Sequence, residues 1–152
     1  MKTRAGDDTD WVAEFRPKRM PLLAMLAAVL ILAVHVAVAA SLRVEETGVN
    51  FRSWDQWAFV GMGVVVGGIV LLLTRPRLRV GPSGLAVRNV LFEKVIPWSQ
   101  VVGVSFPAGK RWARIEMPGD EYVPVLAIQS LDKERAVDAM DRLRDLVAEH
   151  RA

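Results

Sequence analysis

The side chains best suited to bind something are cations: Arg75, Arg77 and Arg79 in quick succession, and Lys110-Arg111 followed by Trp112. Each Lys or Arg beside an anionic leaflet adds about 1 kcal/mol of attraction. Two cations with an indole suit a lipid headgroup, a phosphorylated ligand or an acidic partner. Catalysis has far less to work with. There is no cysteine, which excludes thiol nucleophiles, disulfides, Cys-ligated zinc and iron–sulfur clusters, and two histidines do not make a three-His metal site. His35 lies in an apolar run and His150 on an end expected to fray, so no nucleophile, base and orienting group can be assembled. No glycine-rich loop of Walker or Rossmann spacing follows a strand-like stretch. The acids of the last 20 or so residues interleave with Lys133, Arg135, Arg142 and Arg144, as on a solvated helix face. The expectation is a non-enzyme with no cofactor and no metal.

The elements that must position those cations divide into a membrane part and a small domain. The chain has 152 residues, 52% hydrophobic, with a net charge of +3, and the excess apolar content sits in two runs of the first half. No charge interrupts 21–42, and about 22 residues at 1.5 Å each cross a hydrocarbon core of about 30 Å. A second run over 57–74 is shorter, also uncharged up to its end, and is introduced by Trp54 and Trp57, which suit a headgroup interface. A secretory signal is the competing reading of the first run, since Ala37-Val38-Ala39 resembles a cleavage site. Against it stand Asp7, Asp8, Asp10 and Glu14 ahead of the run, and a second run that anchors the product regardless.

Cations flank the outer ends of the pair (Arg16, Lys18, Arg19; Arg75, Arg77, Arg79), while Arg43 and Arg52 are matched by Glu45, Glu46 and Asp55 between the runs. Positive-inside counting therefore places both termini in the cytoplasm of a multi-pass plasma-membrane protein. Gly63 and Gly67, four apart, offer the close approach that two antiparallel membrane helices need, with Ala24, Ala28, Ala33 and Ala37 opposite. His35 reads as neutral, hydrogen-bonded across the helix pair.

After Arg75 the period changes to two. Arg77–Val80, the turn Gly81-Pro82-Ser83-Gly84, Leu85–Asn89, Glu93–Pro97, Val102–Phe106, Arg111–Glu116 and Tyr122–Gln129 read as short antiparallel strands. Trp98 falls between Ile96 and Val101 and reads as a packing aromatic. From Asp132 the period becomes helical, with Ala136, Met140, Leu143 and Val147 on one face, a cap from Asp132 or Ser130, and an Asp138–Arg142 pair. The organisation is a tail over 1–20, a transmembrane hairpin over 21–74, and an α+β domain over 75–152, a small antiparallel barrel or sandwich capped by its C-terminal helix. Scattered cations and a single Tyr argue against nucleic acid.

Two spans, a Leu-Arg-Val strand, Gly-Leu-Ala-Val-Arg-Asn after the turn, Val95-Ile96-Pro97-Trp98-Ser99-Gln100-Val101 and a closing helix together resemble the actinobacterial membrane-anchored PH-domain proteins, including the low-molecular-weight protein antigen 6 group. The resemblance implies a bacterial PH-like fold, a cytoplasm-facing domain and no established enzymatic activity. Residues carry the functional expectation further: a tethered, non-enzymatic module recruits a protein partner of the cell envelope by strand addition or a groove beside the helix. Membrane lipids met through Arg75, Arg77, Arg79, Lys110, Arg111 and Trp112 are the alternative. Assembly into a homo-oligomeric scaffold is the third. Phosphoinositide binding is disfavoured, because the turn Gly81–Gly84 holds no cation.

Overall fold

The computed structural model describes residues 11–41 and 53–151. Expectations resting on Asp7, Asp8, Asp10, Arg43, Glu45, Glu46 and Arg52 lie outside the described residues. Two compact units emerge: Met20–Thr74, and a second built from both flanks of the first, Met1–Arg19 with Arg75–Ala152.

The first unit is a pair of helices, α1 (Arg19–Ser41) and α2 (Ser53–Leu71), with a 3-10 turn over Leu72–Thr74. Both are long and apolar enough to cross a membrane. Most of their large side chains are exposed, and the buried residues of α1 are Ala24, Ala28 and Ala39. A Cβ on Gly63 would lie 2.7 Å from His35 Cβ, and one on Gly67 would lie 3.5 Å from the Ala28 carbonyl oxygen. His35 does not bond across the pair as expected; its Nδ1 lies 2.8 Å from the Ile31 carbonyl oxygen, one turn back on its own helix.

The second unit has two antiparallel sheets and a helix. One sheet runs in the order β1 (Ala13–Phe15), β2 (Arg77–Gly81), β3 (Gly84–Arg88), β4 (Glu93–Ile96), and the other in the order β5 (Gly103–Ser105), β6 (Trp112–Glu116), β7 (Tyr122–Gln129). The helix α3 (Glu134–Glu149) follows. Period two sends Leu78, Val80, Leu85, Val87 and Ile96 inward from the first sheet and Ala113, Ile115, Val123 and Val125 from the second. Ala136, Met140, Leu143, Leu146 and Val147 of α3 complete one core. Each large aliphatic side chain so buried contributes about 1.5–3 kcal/mol.

The corner between the sheets is the stretch from Ile96 to Val101. Trp98 opens a 3-10 turn there, donates its indole N–H to the Gly81 carbonyl at 2.9 Å, and packs against the core. Gly84 permits that approach: with φ at +138°, it leaves no room for a Cβ, which would sit 2.1 Å from the Ile96 carbonyl oxygen.

The tail expected over 1–20 contains a strand. Ala13 pairs with Val80, Glu14 with Arg79 and Phe15 with Leu78, so β1 enters the first sheet from ahead of the apolar helices. The N-cap differs too. Lys133 holds the cap position of α3 without a side-chain bond, and the Asp132 carboxylate accepts instead from the backbone N–H of Lys18 (3.2 Å) and Arg19 (3.0 Å). Two well-placed N–H groups from the distant segment outcompete one at the helix start. The ion pair on the exposed side of α3 is Arg144–Asp141 at 3.2 Å, not Asp138–Arg142.

Candidate functional site

β5 is the edge strand of its sheet, and α3 runs past it. Period 3.6 gives α3 a buried stripe, yet Val137, one residue off that stripe, is 60% exposed. A shallow groove of about 430 Å³ results, lined by Phe106, Ser130, Lys133, Ala136, Val137, Met140, Asp141 and Arg144. A second depression, lined by Gly103, Val104, Arg144, Val147, Ala148 and Arg151, shares Arg144 with it. The floor is apolar and the rim carries Lys133, Arg151 and the ion pair of Arg144 with Asp141. Arg151 donates to the carbonyls of Val101 and Val102, just ahead of β5, and so closes the lower end of the strand edge. The arrangement fits an extended, acidic peptide with apolar anchors.

The cationic turn borders this groove. Lys110 donates its backbone N–H to Pro107, and the Arg111 carbonyl accepts from the N–H of Ser130, a groove residue. Lys110 and Arg111 are exposed, and Trp112 is half-exposed at the start of β6. On the outer face beside them, Ser105 donates to Glu116 at 2.8 Å and Arg114 reaches the same carboxylate oxygen at 3.2 Å. The Ser105 hydroxyl, then Arg114, hold the Glu116 carboxyl below its ordinary range, against a desolvation that acts the other way.

Arg77 and Arg79 belong to the other sheet, Arg75 lies just ahead of it, and none of the three joins Lys110, Arg111 and Trp112 in one site. Arg79 is buried, 2.7 Å from Glu93, with its guanidinium 4.7 Å from the centre of the Trp11 ring. Arg77 lies 3.2 Å from the same carboxylate. Arg75, ahead of the strand, is exposed. Two of the three cations are thus spent inside the fold, and charge by itself could not reveal that without the β2–β3–β4 register.

Where fraying was expected, His150 stacks on Trp98 with ring centroids 4.1 Å apart and an interplanar angle of 14°. Its Nδ1 lies 2.9 Å from the Leu146 carbonyl oxygen, so the imidazole is used in packing. Among the described residues, no three acidic or histidine side chains gather into a metal site. From sequence Met140 belongs to the buried face of the last helix and Phe106 to a strand, and neither they nor Val137 are given a part in a site. Val137 was the available signal, an apolar residue on an otherwise charged face.

Residues 75–146 match the model of a bacterial PH domain. The matched stretch leaves out β1, which the fold adds from ahead of the helices. Uncharacterized proteins of Mycobacterium bovis and Mycobacterium tuberculosis are 53% identical over 142 residues, covering 93% of this chain and 92% of theirs. No solved structure matches significantly.

Proposed function

The chain belongs to the family of these mycobacterial proteins, with a bacterial PH domain over 75–146, and from that premise we propose that it is a non-enzymatic, membrane-tethered recruitment module. PH-like domains serve as protein or lipid interaction modules. The observation that carries the protein reading is the unpaired edge of β5 beside the apolar, cation-rimmed groove of α3. An extended acidic segment of an envelope protein would add its backbone to β5 and set an apolar side chain between Phe106 and Val137, with one carboxylate at Lys133 and another at Arg144 in exchange for Asp141. Tethering in the same membrane raises the effective concentration of such a partner.

Membrane placement belongs to the same proposal. β1 and β2 are neighbours in one sheet, although α1 and α2 lie between them in the chain. An even number of crossings is what that pairing requires, and the flanking cations favour the cytoplasmic side. The order of spans, strand and corner also supports placing the chain beside the antigen 6 group. Exposure of Lys110, Arg111 and Trp112 favours anionic headgroups as a second reading.

A photoreactive amino acid in place of Val137, in the full-length protein in its host cells, tests the proposal. One discrete adduct is expected, mapped to an apolar and acidic segment of another protein and lost with Lys133→Glu/Arg144→Glu. Lipid adducts alone would transfer the role to headgroups, and self-adducts alone to assembly.

A further inference from the structure

The turn between β3 and β4 is built unlike an ordinary surface turn. Such turns are made of Gly, Asn, Asp, Pro and Ser, but here Leu91 is 57% exposed and Phe92 84% exposed at the tip. The tip is held firmly. A bulge in β7 between the pairs Ala113–Val125 and Trp112–Gln129 frees the Leu126 N–H, and Asn89 takes it up at 3.1 Å while donating to the Pro124 carbonyl at 2.9 Å.

The register fixes which end of the sheet carries this turn. Phe15 pairs with Leu78, Arg77 with Arg88 and Arg88 with Glu93. Residues 16–19 leave the sheet, residues 75–76 enter it, and Asn89–Phe92 project from it, all at one end. Both covalent connections to the apolar helices therefore depart from the end that presents Leu91 and Phe92. Arg88 and Glu93 flank the turn, Glu93 held by Arg77 and Arg79, Lys94 follows in β4, and exposed Arg75 precedes the neighbouring strand. At the opposite end, the turn of Pro82 and Ser83 exposes no large apolar side chain.

We propose that Leu91 and Phe92 insert into the headgroup interface of the bilayer that holds α1 and α2, as a wedge that fixes the orientation of the domain. Cations beside an apolar tip complement an anionic leaflet, and both connections to α1 and α2 leave the sheet at this same end. The inference rests on reading α1 and α2 as membrane spans, and it is independent of the groove beside α3.

Because the chain has no cysteine, single-cysteine variants carry one label each. The full-length variants Phe92→Cys, Ser83→Cys and Ile69→Cys, labelled with a polarity-sensitive fluorophore, are reconstituted in phosphatidylglycerol–phosphatidylcholine vesicles with lipids bearing a nitroxide at shallow or deep positions. The expected result is blue-shifted emission at position 92, quenched most by the shallow nitroxide, water-like emission at 83, and deep quenching at 69. Water-like emission at 92 with deep quenching at 69 would overturn the wedge and leave the spans standing. Water-like emission at 69 would remove the spans, and the wedge with them. Phe92 is exposed, so an unchanged unfolding midpoint confirms that its replacement leaves the fold intact.

Discussion

The helices of 20–74 and the domain they interrupt achieve order by opposite means. In α1 and α2 most large side chains are apolar and outward, and close approach falls at small residues such as Gly63 against His35 and Gly67 against Ala28. In the domain a strand has two faces with different tasks: Leu78 and Val80 enter the core while Arg77 and Arg79, alternating with them on the same strand, meet Glu93. Composition can thus specify an apolar helix, whereas a domain is specified by position. The domain should accordingly be the more fragile of the two to single substitutions.

The sharpest way to break that contrast is at Gly84. Gly84→Ala places a Cβ against the Ile96 carbonyl in a left-handed backbone, and a loss of about 3 kcal/mol or more is expected. Thermal unfolding of the detergent-solubilised chain measures it, and a stable variant would show that the corner is not closed as described. Next comes Arg79→Met, which leaves the partly buried Glu93 without its closest cation and removes the contact with Trp11. About 2 kcal/mol should be lost, with Arg79→Met/Glu93→Gln recovering part of it. Phe15→Ala tests whether the segment ahead of the spans belongs to the domain. Loss of its packing on the core should cost about 1–2 kcal/mol, and an unchanged midpoint would detach β1 from the fold.

Within the apolar helix pair, Gly63→Ala forces His35 and its helix to give way. A cost of about 1 kcal/mol is expected, read as faster exchange of the helix pair in steric-trapping or unfolding measurements, while Ile69→Val should be silent. The smallest effect concerns pH. The Glu116 carboxyl is lowered by Ser105 and Arg114 in the folded state. Its stabilising contribution is therefore complete above the unfolded pKa and lost as pH falls through the folded one. Glu116→Gln should lower the midpoint slightly near neutrality and give a shallower decline on the acid side, so that the variant and the parent converge at low pH, in midpoints recorded from pH 7 downward.

Much of the domain was legible because alternation survives wherever a strand has one wet face. Arg111–Glu116 and Tyr122–Gln129 announce themselves so, and the phase of α3 follows from Ala136, Met140, Leu143 and Val147. β1 was hidden although Trp11–Phe15 alternates, since Asp7, Asp8 and Asp10 dominate its surroundings and its partner strand lies beyond both helices. Long-range pairing of that kind has no local signature. Asp132 shows the same limit: a good capping residue by type, it is claimed by Lys18 and Arg19, more than a hundred positions away in the chain. For the cations the difficulty is occupancy, as Arg79 and Lys110 are alike in sequence and differ only in whether the fold has already supplied a partner.

The claim on which the rest depends is that one domain is assembled from both flanks of an inserted membrane hairpin. Single cysteines at Val12, at Ser83 and within 42–52 of the otherwise cysteine-free chain, probed with a membrane-impermeant maleimide in right-side-out and inverted vesicles, test it most directly. Val12→Cys and Ser83→Cys should both be labelled only in inverted vesicles, and a cysteine within 42–52 only in right-side-out ones. Labelling of positions 12 and 83 from opposite sides would contradict the account, because strands on opposite faces of a membrane cannot share a sheet.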